Sequence, residues 1–320
     1  MIRRAGLPRH LSSGPIARAD RPGDYDPRMR SDDFPLPGSA PYDVAAGAPG
    51  SGVGWWNGAS SAALDDDGTF VIAYRERLGH AGRGSTVITR SPDGIHLTTV
   101  ARLDQSRFDA ASMERPSVIR TDDGRWRLYV CSASKPPSRH WWIDLLEADD
   151  PADFATAAAR TVFPGDETVG VKDPIVRRTA DGGWEAWICC HPLDVWDEED
   201  RMTTAYATSR DGVAWDWHGT VLAPRPGTWD QRGARVTVVL PDGRAAYDGR
   251  ASKEENWFER TGLARLTGDR PGALVQTSDD AVRDVRYLDV LPLPGGGYRI
   301  WYEARLPDES HELRTERIGG

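Results

Sequence analysis

The chain has 320 residues, a formal net charge of −9 and 39% hydrophobic residues. This composition is typical of a globular protein, and the lack of any block of basic residues excludes a nucleic-acid partner. No stretch approaches the roughly 18 consecutive apolar residues of a membrane span, and the basic N terminus lacks the apolar core of a signal peptide. We therefore expect a cytoplasmic protein that contacts neither nucleic acid nor membrane.

The three cysteines do not suggest a metal site or a disulfide framework. Cys131, Cys189 and Cys190 are odd in number, and their spacing is not that of metal ligands. We expect reduced structural thiols, no bound metal and no cofactor.

Residues 1–54 are rich in Pro, Gly, Asp and Arg. They show neither the two-residue period of a strand nor the 3.6-residue period of a helix, which predicts an extended N-terminal arm. Residues 55–320 form the predicted catalytic domain, in which one unit recurs. Each unit is a run of β-forming residues, a tight turn, and a second apolar run that ends in aromatic residues.

The turns of this unit contain Asp-Gly or Gly-Gly, the strongest short-range signal of a β-hairpin. Their glycines recur 56, 59, 60 and 54 residues apart and are Gly68, Gly124, Gly183, Gly243 and Gly297. Long amphipathic helical patterns are absent, which excludes an α/β barrel. The repeats predict an all-β fold, a five-bladed β-propeller with four-stranded antiparallel blades around a central channel.

The last predicted blade is one strand short, because the chain ends shortly after its third strand, HELRTERI. The N-terminal arm is the expected donor of the fourth strand, which would close the ring and remove exposed sheet edges. A last blade of three strands is the alternative.

The innermost strands of a propeller line its channel, and their first residues meet at one mouth. Counting back ten residues from each turn glycine gives the equivalent positions Gly58, Glu114, Asp173, Gly233 and Tyr287. Buried carboxylates need a partner or a function, so Glu114 and Asp173 are the candidate catalytic pair. The channel position Tyr287 is a candidate substrate-binding residue. Neighbouring strand ends add further candidates, which are Trp56, Asn57, Arg75, Arg115, Lys172, His191, Arg232, Arg235, Tyr247 and Asp248.

Two carboxyl groups at one mouth suit the cleavage of a glycosidic bond. One gives a proton to the leaving oxygen, and the other activates water or stabilises the transition state. Ion pairs that only tie the blades together are the structural alternative for Glu114 and Asp173. We expect Trp141 and Trp142 to pack within a blade, with a sugar-stacking platform as the alternative. The segment WDEED at 196–200 is expected to be a solvated loop, with chance binding of a cation as the alternative.

Three stretches, FVIAYRERLGHAGRGSTVITRSPDGIHL, VKDPIV and GRAAYDGRASKEENWFERTGLARL, carry a resemblance to known enzymes. The first is similar to the first blade of glycoside hydrolase family 130, the mannoside phosphorylases and mannosidases. VKDPIV resembles the third-blade start of that family and the Asp-Pro of families 43 and 32. The third stretch is similar to the fourth-blade YHG of family 130, with Asp248 in place of histidine. The resemblance covers about residues 55–305.

Two positions depart from the families. The chain reads MERP where family 130 has Glu-Asp-Pro-Arg, which puts Arg115 at the position of the acid. It reads WWNGAS where family 32 has WMNDPNG with its catalytic aspartate, and Asn57 cannot act as a base. The ERP that begins at Glu114 resembles the Glu-Gly-Pro that carries the acid in family 43.

The resemblance implies a glycoside hydrolase that acts on an oligosaccharide or glycoside, with Glu114 as the general acid and Asp173 as the base or pKa modulator. A phosphorylase is the first alternative, in which Arg75, Lys172 and His191 hold inorganic phosphate. The same residues could equally bind a carboxylate or hydroxyl groups of the substrate. A non-catalytic carbohydrate-binding propeller is the second alternative, favoured by Asn57 and by the one-residue offset of Glu114.

Overall fold

The computed structural model describes residues 34–79, 84–136 and 138–319. Within these residues the chain forms 21 β-strands and two short 3-10 turns, without an α-helix. This part of the chain accordingly contains no helix long and apolar enough to cross a membrane. The all-β prediction is confirmed, while residues 1–33 of the predicted arm lie outside the described residues.

The strands form sheets of eight, five, four and four strands. The eight-stranded sheet consists of two antiparallel groups, the first and the last in the chain, which a parallel bridge between Trp56 and His311 joins. Strands β2–β5 are Trp55–Leu64, Phe70–Leu78, Ser85–Ser91 and Thr98–Asp104. In the next group β6 and β7 both pair with β8, and β6–β10 are Ser112–Met113, Ser117–Arg120, Trp126–Ala133, Trp141–Ala148 and Ala159–Phe163. Strands β11–β14 are Val169–Arg178, Trp184–Pro192, Thr203–Ser209 and Asp216–Leu222. Strands β15–β18 are Gly233–Val239, Arg244–Arg250, Arg260–Leu266 and Leu274–Gln276.

The last group combines both ends of the described chain. Strands β19–β21 are Arg286–Pro292, Tyr298–Arg305 and His311–Ile318, and β1, Asp43–Ala46, pairs antiparallel with β21. Ahead of β1, the backbone N–H groups of Gly38 and Ala40 donate hydrogen bonds of 2.8 and 3.1 Å to the Glu316 carboxylate on β21. The N-terminal segment therefore supplies the outer strand of this group.

The first strands of the groups form a closed ring. Strand β2 contacts β7, β7 contacts β11, β11 contacts β15, β15 contacts β19, and β19 returns to β2. The hydrophobic core lies between successive groups: Val71 and Ile88 of the first group share a cluster with Leu128 of the second. Sheets packed face to face around a common centre are consistent with a propeller.

The hairpins expected from the turn glycines are present. Gly68, Gly124 and Gly243 adopt φ values of 85°, 84° and 83°, the left-handed conformation that glycine reaches without strain. In the third hairpin the left-handed glycine is Gly182, with φ 85°. It lies one residue before Gly183, from which the channel position Asp173 was counted.

The ring strands contain bulges near the same mouth of the channel. The pairing register shifts between Gly58 and Ser61 in β2, between Lys172 and Ile175 in β11, and again in β15 and β19. Asp173 lies inside the bulge of β11 with φ 50°, although it is not glycine. A bulge turns the side chains after it, so these short segments decide which residues face the channel mouth.

Candidate active site

The ends of the ring strands and of their neighbours enclose a cavity of about 340 Å³ at one mouth of the channel. Six of the side chains predicted from sequence line it, namely Arg75, Glu114, Lys172, His191, Arg235 and Tyr287. The structure brings these six together from five different strand groups. Six of the predicted residues therefore share one cavity, and the other predicted residues lie outside its wall.

Glu114 lies between β6 and β7 and is buried against basic side chains. Its carboxylate accepts hydrogen bonds from Arg75 at 2.9 Å, from Ser112 at 3.2 Å and from Arg77 at 3.5 Å, and Lys172 Nζ lies 3.9 Å away. Burial raises the pKa of Glu114, but the charges of Lys172, Arg77 and Arg75 outweigh it and hold the pKa well below its usual range. Glu114 is therefore ionised in the free protein.

Lys172 and Arg77 are the cations of the cavity with the fewest partners. Among the described residues, the Lys172 ammonium has the distant Glu114 carboxylate as its one ion pair and makes no hydrogen bond. It also lies 5.3 Å from the centre of the Trp141 ring. Arg77 has the 3.5 Å contact to Glu114, and its guanidinium lies 5.2 Å from the Trp56 ring. Both side chains can therefore bind an additional negative group.

His191 and Trp141 form the wall beside Lys172. Their rings lie 5.1 Å apart, and His191 Nδ1 bonds to the Glu199 carbonyl oxygen. Burial and the nearby charge of Lys172 lower the pKa of His191 well below its usual value, so the imidazole is neutral. Trp141 was expected to pack within a blade, but it lines the cavity, because Gly170 on β11 leaves room for its ring.

The structure corrects the role predicted for Asp173. Its carboxylate is fully buried below the cavity and accepts hydrogen bonds from the Arg115 N–H and from Arg235, each at 3.1 Å, and from the Tyr287 hydroxyl at 3.4 Å. The bulge in β11 turns Asp173 away from the cavity and leaves Lys172 facing it. Asp173 therefore cannot reach a substrate as a base.

Arg235 forms the floor of the cavity with Tyr287. Its guanidinium donates to Asp173, to the Tyr287 hydroxyl at 2.8 Å and to Asp248 at 2.6 Å, and it lies 3.9 Å from the Tyr287 ring. Asp248 also accepts the Tyr287 N–H, and burial raises its pKa. Asp248 therefore positions the floor from behind instead of contacting a ligand, contrary to the prediction.

Arg115 crosses the channel below this floor and does not line the cavity. Its Nε donates to the Ser60 carbonyl of β2 at 2.9 Å, and its Nη1 donates to the Thr237 carbonyl of β15 at 2.8 Å. Its Nη2 lies 3.6 Å from Asp289 of β19. Arg115, Thr237 and Asp289 line the opposite opening of the channel, a second cavity of about 330 Å³, so Arg115 does not make the substrate contact predicted for it.

Four further predicted residues lie outside the cavity wall and have structural partners. Trp56 stacks on His311 at 4.9 Å, and the Asn57 amide donates to the Gly47 carbonyl at 2.8 Å. Tyr247 donates to Asp230 at 2.7 Å. Arg232 holds Asp200 through two hydrogen bonds of 2.8 Å and acts on the cavity only through that carboxylate.

The cavity also contains residues that the sequence analysis missed. Glu259, just before β17, pairs with Arg250 at 3.0 Å and with Arg286 at 2.6 Å. Burial raises its pKa, but Arg286, Arg250 and Arg235 lower it to about 2. Behind the wall, Glu303 at the end of β20 joins Arg75 and Arg286 at 3.1 and 2.8 Å.

The acidic segment at 196–200 was expected to be a solvated loop, but part of it lines the cavity. Asp197, Glu199 and Asp200 line the cavity, and each has a basic partner: Lys253 at 2.6 Å, Arg139, and Arg232, respectively. Within the described ranges, no group of three or more His, Cys, Asp or Glu side chains is arranged to hold a metal ion.

The comparisons with known proteins rest on structure. No protein-family model matches the chain, and no curated protein matches it by sequence. β-1,2-Mannobiose phosphorylase from Listeria innocua is similar with a TM-score of 0.61 and 14% identity, over 87% of this chain and 91% of that chain. A thermostable family-43 glycoside hydrolase is similar with a TM-score of 0.63 and 12% identity, over 87% and 93%.

A third similar structure is sucrose-6-phosphate hydrolase from Lactobacillus gasseri, with a TM-score of 0.64 and 12% identity over 88% of this chain and 62% of that chain. By name the three similar structures are a mannobiose phosphorylase, a family-43 glycoside hydrolase and a sucrose-6-phosphate hydrolase. At these identities the similarity establishes the fold, and the function has to be argued from the site.

Proposed function

We propose that the protein is a glycoside hydrolase that works in the cavity at the channel mouth, with Glu114 as the proton donor. The observation that carries the proposal is the position of Glu114, whose side chain stays 7% exposed to the cavity while three basic side chains surround it. The other cavity carboxylates are also paired with basic side chains, and Glu114 differs from them in lying next to a ring strand, β7. A reachable carboxyl group is the minimum requirement for protonating a leaving oxygen.

The proposal includes five blades. The closed ring of β2, β7, β11, β15 and β19 supports this number, since each of these five strands belongs to a different antiparallel group of the chain. Strand β1 then provides the fourth strand of the last blade.

The second carboxylate of the mechanism is Glu259 in place of Asp173. Glu259 lines the cavity and is ionised between Arg250 and Arg286, so it can stabilise the positive charge that develops on the sugar ring. Asp173 is a positioning residue, because it holds Arg235 and Tyr287 from below the cavity floor.

Phosphorolysis has less support in the geometry. Of the three residues assigned to phosphate, Arg75 already pairs with Glu114 and Glu303, and His191 is neutral and bonded to the Glu199 carbonyl. Of the three, Lys172 alone is left to bind a phosphate, with the neighbouring Arg77 as a second donor, whereas a phosphate usually needs several donors. Hydrolysis therefore remains the leading function.

The test is turnover of a panel of aryl furanosides and pyranosides, neutral and acidic, with and without inorganic phosphate. Free sugar without phosphate supports hydrolysis, and sugar phosphate would show phosphorolysis instead. Glu114→Gln should reduce kcat/KM by about 100-fold or more, as expected for loss of a general acid. Glu147→Gln, at a half-exposed pair with Arg127, is the matched control and should leave kcat/KM unchanged.

Unchanged turnover in Glu114→Gln would refute the assignment of the acid. Binding of sugars by the wild type without any cleavage would instead favour a carbohydrate-binding protein.

A further inference from the structure

The cavity contains two basic side chains whose charge no close partner balances. Lys172 is 12% exposed and Arg77 18% exposed, and both face the space next to Glu114. Their contacts to the Glu114 carboxylate, 3.9 and 3.5 Å, are long, while Arg75 occupies the same carboxylate at 2.9 Å. The Arg77 Nε atom is buried and has no hydrogen-bond partner among the described residues.

A ligand that fills this cavity displaces water from both cations. A neutral sugar would leave both cations without solvent and with only their long contacts to Glu114 as counter-charge, which is unfavourable in a buried site. A ligand with a negative group placed against Lys172 and Arg77 avoids this penalty. The planar guanidinium of Arg77 also matches the two oxygens of a carboxylate.

The surrounding acids limit how much negative charge the cavity accepts. Five carboxylates line it, those of Glu114, Asp197, Glu199, Asp200 and Glu259. Asp173, Asp248 and Glu303 lie directly behind the basic wall residues. A single negative charge suits this setting better than the two charges of phosphate, because Glu114 would repel a dianion next to it.

We propose that Arg77 and Lys172 form a carboxylate-binding subsite beside Glu114, and that the sugar bound in the cavity is an acidic one of the uronic acid class. The inference rests on the proposed glycosidase function for its catalytic meaning, but the binding of the acidic sugar does not require turnover. Arg77 and Lys172 are the specificity-determining residues.

The subsite also accounts for the protonation of Glu114. In the free protein the surrounding basic side chains keep Glu114 ionised, which prevents it from donating a proton. A substrate carboxylate bound to Lys172 and Arg77 offsets the charges of these two side chains, so the pKa of Glu114 rises, although Arg75 at 2.9 Å continues to lower it. An acidic substrate therefore favours protonation of Glu114 more than a neutral substrate does.

The direct test is calorimetric binding of a panel of free hexuronates, their neutral methyl esters, the parent hexoses and inorganic phosphate to the full chain. At least one hexuronate should bind about tenfold or more tightly than its methyl ester and its hexose, the difference expected for one charge-assisted contact. The difference should shrink as salt is added.

Variants separate the subsite from general damage. Arg77→Gln and Lys172→Gln should each weaken hexuronate binding about tenfold, a larger loss than the same variants cause in hexose binding. Lys172→Arg keeps the charge and should retain the preference for the acid. Lys135→Gln, at an exposed pair with Asp109, is the matched control and should behave as the wild type. Thermal unfolding of each variant confirms that it is folded.

Equal binding of acids and esters, no binding of any hexuronate, or tighter binding of phosphate than of every hexuronate would overturn the inference. These outcomes are distinct from failure of the proposed function. Selective hexuronate binding without cleavage of any uronide would refute the hydrolase while leaving the subsite intact. Cleavage of neutral glycosides with no preference for uronides would do the reverse.

Discussion

Arg115 shows how one side chain can join several parts of this molecule. It starts between β6 and β7, and its guanidinium reaches Ser60 of β2, Thr237 of β15 and Asp289 of β19. Its backbone N–H donates to Asp173 of β11. Because the planar fork of arginine reaches several acceptors at once, lysine could not make the same set of contacts.

The weakest of these contacts carries a consequence for stability. Asp289 lies 3.6 Å from Arg115, and burial raises its pKa to about 6 although Arg115 opposes the shift. The folded protein therefore binds a proton at Asp289 that the unfolded chain releases at its ordinary pKa of 3.8. This stabilisation is fully present below about pH 3.8 and is lost as the pH rises through about 6.

Asp289→Asn removes this titration without changing the size of the side chain. We expect the variant to be more stable than the wild type at pH 7.5, by at most about 3 kcal/mol for a shift of roughly two pKa units. The gain should shrink steadily as the pH falls to 4. Urea unfolding of both proteins across this range measures the difference, and a difference independent of pH would contradict the assignment.

Among the strands, the contact between β2 and β20 depends on one missing side chain. A Cβ atom on Gly58 of β2 would lie 2.2 Å from the Glu303 carboxylate of β20. That carboxylate joins Arg75, Arg286 and His311 at 3.1, 2.8 and 2.6 Å. Position 58 therefore requires glycine because the Glu303 side chain lies too close for a Cβ atom. The backbone φ of Gly58 is not left-handed, so backbone conformation is not the reason.

Gly58→Ala should consequently push Glu303 away from its basic partners. We expect the free energy of unfolding to fall by about 1–3 kcal/mol, as for other overpacked sites. Gly295→Ala is the control, because its Cβ would meet no atom within 4 Å, and it should change stability by less than about 0.5 kcal/mol. Equal stability of the two variants would refute the steric explanation.

The elements divide into those that the sequence predicts and those that it does not. Asp-Gly turns specify hairpins locally, which is why β2–β3 and β15–β16 follow from the sequence. A bulge adds one residue to a strand, and no local sequence signal marks it. Counting back ten residues from the turn glycine therefore selects Asp173, although it is Lys172 that faces the cavity.

The second strand of each hairpin offers a more regular sequence signal for buried charged residues, their distance from the turn glycine. Arg75, Arg250 and Glu303 each lie seven residues after the left-handed glycine of their hairpin, Gly68, Gly243 and Gly296, respectively. The sequence analysis selected Tyr247 and Asp248 instead of Arg250 and did not consider Glu303. The partners of these residues are distant in the chain, so their ion pairs depend on how the groups assemble and cannot be derived from spacing.

For the whole molecule, the pairing of β1 with β21 joins the two ends of the described chain. It covers the edge of β21 and adds the two backbone hydrogen bonds from Gly38 and Ala40 to Glu316. An uncovered strand edge is available to pair with other chains. The segment therefore contributes to both stability and solubility.

Removal of residues 2–48 should lower Tm by at least about 5 °C, because it removes a strand and two hydrogen bonds to a carboxylate. It should also increase aggregation, measured by light scattering. Removal of residues 2–33 alone, which retains β1, is the comparison. The same Tm for both truncations would show that β1 does not stabilise the last group.

The position of Arg115 has one more consequence. Since its guanidinium spans the channel between the two openings, the cavity around Glu114 is a dead end. A long polymer cannot be threaded through the ring and cut as it advances. Each ligand must enter and leave the cavity through the same opening, so departure of one molecule has to precede the arrival of the next.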